Sequence, residues 1–131
     1  MLSELGKDGH DLQRRNAHTL VGNAALAEGR GVQAIEALSE AVALTQSRDV
    51  PWHLATSFLN LGTAQMHGGR MAAARDRFER ALAIYQEIGD SHFLARTLIQ
   101  IGYMELLTSG PATAAPLIAR AMRIVADIGD G

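Results

Sequence analysis

Apolar residues in this chain return with helical spacing, in blocks. Between Pro51 and Asp90, Leu54, Phe58 and Leu61 fall three or four residues apart; Gly68-Gly69 interrupts, and Ala74, Phe78, Ala81, Leu82, Tyr85 and Ile88 resume the spacing. Such steps bring the apolar side chains onto one helix face, so the block predicts two amphipathic helices joined by a glycine turn. The same block recurs at a shift of forty residues. Gly22, Gly62 and Gly102 are in register, as are Ala34, Ala74 and Ala114, and Ala41, Ala81 and Ala121. Val21, Leu61 and Ile101, and Leu38, Phe78 and Ile118, keep the same register. An internal repeat of this length marks an array of supersecondary units.

Punctuation sets the boundaries. Asp49-Val50-Pro51 places a proline at a first helical position, and Gly89-Asp90-Ser91 offers a glycine stop followed by capping side chains. The predicted helices span about 11–28, 31–48, 51–68, 71–88, 91–108 and 113–128, and no segment reads as a strand. The expectation is one all-α domain over 1–131 built of three hairpin units, about 11–50, 51–90 and 91–130. Residues 1–10 fall in register with the tail of a second helix, as the remnant of a preceding unit, and Ile128-Gly129-Asp130 repeats Ile88-Gly89-Asp90. An excised segment of a longer array is therefore expected. The recurring small residues predict close crossings within each hairpin, with glycine on the first helix facing alanine on the second.

The second unit, with Phe58, Leu61, Gly62, Ala74, Phe78 and Ala81, resembles the tetratricopeptide repeat at its recurring small and large positions. Two departures stand out. Gln86 occupies the family's late proline position, and the period is forty instead of about 34 residues. Units of this longer type resemble those of kinesin light chains and of bacterial multidomain transcriptional regulators. The resemblance implies a right-handed α-α superhelix whose first helices line a concave face that binds protein or peptide. It places Asn23 and Leu26 of the first unit on that face, then Leu59, Asn60, Thr63, Met66 and His67 of the second, and Arg96, Ile99, Tyr103 and Leu106 of the third. Family members that grip a terminal carboxylate use cations where Thr19, Leu59 and Ile99 stand here, so that clamp is not expected. Asn23, Asn60 and Arg96 are the polar anchors for a peptide backbone. Leu59, Ile99 and Leu106 fit packing between helices equally well, because repeat cores need apolar residues on several faces. The expected role is a protein-interaction scaffold; an inducer-sensing array within a transcriptional regulator is the alternative.

Charge and chemistry narrow this further. Twelve Lys and Arg against fourteen Asp and Glu leave a net charge of −2, with no basic field for a nucleic-acid backbone. The alternating Arg75-Asp76-Arg77-Phe78-Glu79-Arg80 reads as a solvated helix face. No apolar run approaches the ~18 residues of a membrane span, MLSELGKDGH is charged where a signal peptide is apolar, and a cytoplasmic chain is expected. The five histidines show no metal-ligand spacing, cysteine is absent, and no nucleophile-base pair or cofactor fingerprint occurs. Neither enzyme activity, metal nor cofactor is expected. The last helix carries charge only at Arg120, Arg123 and Asp127, so Leu117, Met122 and Val125 are expected to meet a cover, either the next unit of a longer array or, the favoured reading, a second copy in a homodimer.

Overall fold

A computed structural model describes residues 4–44 and 51–130, with side chains over 13–44 and 51–129. The described residues form six helices: α1 Glu4–Ala27, α2 Gly31–Ala43, α3 Pro51–His67, α4 Met71–Ile88, α5 Ser91–Thr108 and α6 Pro111–Asp130. Each odd-numbered helix packs along the even-numbered helix that follows it, giving three hairpins, and α2 on α3 and α4 on α5 join the hairpins in series. The first helices also touch one another, α1 with α3 and α3 with α5, whereas among the described residues the second helices do not. The stack therefore has an inner side made of α1, α3 and α5. It is an all-α superhelix of helical hairpins.

Two of the six helices differ from their expected spans by more than one residue, and a third is described over only part of its span. Residues 4–10, placed by the repeat register in the tail of an earlier unit, are continuous with α1, because no proline separates them from residue 11 onward. Helix α6 starts at Pro111 instead of 113, since proline at the first helical position forfeits only an N–H that has no partner there. It tolerates Pro116 further in and runs two residues past the expected end, to Asp130. Helix α2 is described to Ala43, and the remainder of its expected span, 45–48, lies outside the described residues.

Glycine stops the first helices of units one and two by the same device. Gly69 has φ 79°, its N–H donates to Met66, and the N–H of Arg70 donates to Gln65 at 2.8 Å; Gly29 repeats this with Leu26 and Ala25. These paired bonds satisfy carbonyls at the helix end and require a left-handed residue, which a side chain would strain. At the crossings the close partner differs from the one expected. A Cβ on Gly62 would lie 2.8 Å from the Phe78 ring, on Gly22 2.5 Å from Leu38 Cγ, and on Gly102 2.7 Å from Ile118 Cγ1. The glycines make room for these large side chains, and the alanine backbone at 34 and 114 is only a second neighbour, because the bulky residue four positions on reaches across the crossing.

Phe78, Tyr85, Leu38, Leu61, Leu98 and Met104 are fully buried and fill the spaces within and between hairpins. The α4–α5 seam also holds an ion pair. Arg75 donates to Glu105 Oε1 at 2.6 Å, and Ser109 Oγ donates to Oε2 at 2.8 Å. These bonds to Arg75 and Ser109 hold the Glu105 carboxyl below the usual carboxylate range against the opposing effect of burial. In the α2–α3 seam Ile35 and Gln65 stand at the same register, and Gln65 Oε1 is buried with no partner among the described residues.

Candidate binding groove on the inner helices

Helical spacing carries one face of each first helix to the inner side. On α5 that stripe is His92, Arg96, Ile99, Tyr103 and Leu106, all exposed. On α3 the corresponding residues are more covered, because α3 is packed by hairpins on both sides and α5 on one. Between them lies a depression of about 200 Å³ lined by Asn23 and Leu26 of α1, Leu59, Asn60 and Thr63 of α3, and Arg96 and Gln100 of α5. Each unit thus supplies a side-chain carboxamide, Asn23, Asn60 or Gln100, to one cavity.

A carboxamide presents both a donor pair and an acceptor, matching the N–H and C=O of an extended backbone. Arg96 supplies the sole charge of the lining. An aromatic cluster in the α3–α5 region holds it: its guanidinium lies 5.6 Å over the Phe93 ring, which stacks on Tyr85 and meets Trp52 edge-on. Tyr85 is itself bonded to Thr56 at 2.8 Å, and burial raises its phenol pKa above the ordinary value. Thr63 donates to its own helix at Leu59 O, leaving its oxygen to face the cavity as an acceptor.

The remaining anticipated residues fall elsewhere. Met66 is 3% exposed in the core cluster around Phe78, since neighbouring hairpins close over the edge of α3, so it lies beneath the groove. Leu59 is buried in the same cluster and presents only an edge to the cavity. His67 lines a separate depression with Leu26, Gly29 and Gly31. Tyr103 and Leu106 remain exposed on α5 outside the cavity lining. Leu117 is half-buried against the core and closes its own hairpin, whereas Met122 and Val125 are exposed.

Gln100 was absent from the anticipated set. Its signal was present in the repeat, because it stands forty residues beyond Asn60. Among the described residues no group of three or more potential metal ligands occurs, and no helix is long and apolar enough to cross a membrane.

A family model described as a tetratricopeptide repeat matches residues 53–127, more than half of the chain. The chain belongs to the tetratricopeptide repeat family. Neither a curated protein nor a solved structure matches it. Tetratricopeptide repeats generally mediate protein-protein interaction, and the matched span covers nearly all of the second and third hairpins, including most of the groove.

Proposed function

We propose that this tetratricopeptide chain is a protein-interaction module that takes an extended segment of a partner protein along α1, α3 and α5. The observation that supports the reading is the convergence of Asn23, Asn60 and Gln100, one from each unit, on a single cavity beside Arg96. The cavity is smaller than the roughly 300–1,000 Å³ typical of small-molecule pockets and suits a peptide unit with one side chain. Its lining offers hydrogen bonds and one fixed cation, with no group that titrates near neutrality to act as acid or base. The bound segment carries an acidic side chain opposite Arg96, and its backbone bonds to the amides.

The test is a fluorescence titration against an immobilised library of octapeptides. Binders enriched in Asp or Glu are expected, and replacing Asn60 and Gln100 together by Ala weakens them about thirtyfold, the loss of two hydrogen bonds of roughly 1 kcal/mol each. Unchanged affinity in the double variant, with helicity retained, refutes the groove.

A further inference from the structure

The two ends of the stack carry matching halves of the seam that joins its units. In α3 and α5 the residues turned toward the preceding hairpin are Ser57, Leu61 and Ala64, then Thr97, Ile101 and Met104, all buried; Leu61 is 2% and Ile101 8% exposed. At the same register α1 presents Ala17, Val21 and Ala24, all exposed, with Val21 at 58%. The second helices show the converse. Val42 and Leu82 are covered by the first helix of the next unit, whereas Met122, their counterpart on α6, is 66% exposed.

Beside Met122 is an apolar notch of about 400 Å³ lined by Ile99, Ala121, Met122, Val125 and Ala126. One unit earlier the corresponding Leu59, Ala81 and Tyr85 are buried in one cluster with Ile101 and Met104 of α5. The notch is thus the place of a following first helix. From these reciprocal faces we infer that α6 of one chain takes α1 of a second copy, head to tail, reproducing the α4–α5 packing.

Side-chain chemistry at the inferred seam favours this occupant. Where Arg75 and Glu105 pair in the α4–α5 seam, the new seam has Ala115 on α6 and Ala25 on α1, so neither half of that ion pair faces the seam without the other. Val21 enters where Ile101 sits on α5, and Ala119 and Ala126 allow the close approach that small residues give. The contact is heterologous: each copy keeps one open α1 face and one open α6 face, so association continues beyond two chains. A symmetric α6-to-α6 dimer would cover Met122 and leave Val21 in water.

The experiment is sedimentation velocity on the whole 131-residue chain up to about 1 mM, the range in which weak self-association is visible. The wild type is expected to gain mass continuously with concentration. Val21→Glu and Met122→Glu each return it to the mass of one chain, and an equimolar mixture of the two variants forms a complex of two chains, since each retains the face the other lost. A wild type that stays at one chain overturns the inference, as does a Val21→Glu variant that still dimerises alone. Circular dichroism confirms that both variants fold; Ala17→Glu and Ala126→Glu probe the same faces where either does not.

Discussion

The indole N–H of Trp52 donates to Asp90 Oδ2 at 3.0 Å, while Oδ1 of the same carboxylate accepts the backbone N–H of Phe93 at 3.0 Å. One side chain thereby caps α5 and ties it to the start of α3. Replacing Asp90 by Ala removes an N-cap worth about 1 kcal/mol and a side-chain hydrogen bond of similar size. The expected outcome is a loss of about 2 kcal/mol in urea unfolding. Asp90→Ser, which can cap but reaches Trp52 poorly, should lose about half as much. Equal losses in the two variants would show that the cap contributes nothing.

Glu105 makes the stability of the second seam depend on acid. Its pKa is lowered in the folded chain, so its contribution is complete above its ordinary value near 4.5 and is lost as pH falls through the lowered value. Arg75→Met should cost about 1 kcal/mol at pH 7, a modest figure because the Arg75 side chain is 41% exposed and solvent screens the pair. The gap between wild type and variant should close as the pH is brought below the carboxylate range. A gap that stays constant from pH 7 to pH 3, read by thermal melts, contradicts the assignment.

Gly62→Leu should destabilise the chain by about 3 kcal/mol, because even its Cβ would press on the fully buried Phe78 ring. Gly129→Leu offers a control, since nothing lies within 4 Å of a Cβ there. Melting both variants tests the crossing; equal melting temperatures would count against it.

Much of the fold is legible in sequence because the code is local. Gly68-Gly69-Arg70 marks a hairpin turn, Gly89-Asp90-Ser91 marks a stop and a cap, and α4 begins and ends, and α5 begins, where these signals place them. The groove is legible less completely. A helical stripe identifies which residues point inward, yet Met66 and Leu106 share a register and end at 3% and 44% exposure. The difference comes from a neighbouring hairpin covering α3, which a single-helix pattern does not encode. Likewise the forty-residue shift names Phe78 as a partner of Gly62 only once the angle at which the helices cross is known.

The ion pair between Arg75 and Glu105 also distinguishes one unit from another. Ile35 and Gln65 hold its place in the earlier seam, and Ala115 stands there on α6. A third hairpin docked directly on the first would leave Glu105 facing Ile35, its carboxylate away from the Arg75 cation that pairs with it. Three hairpins of one shape could otherwise shuffle during folding, and these unlike seams give each unit its own address in the array.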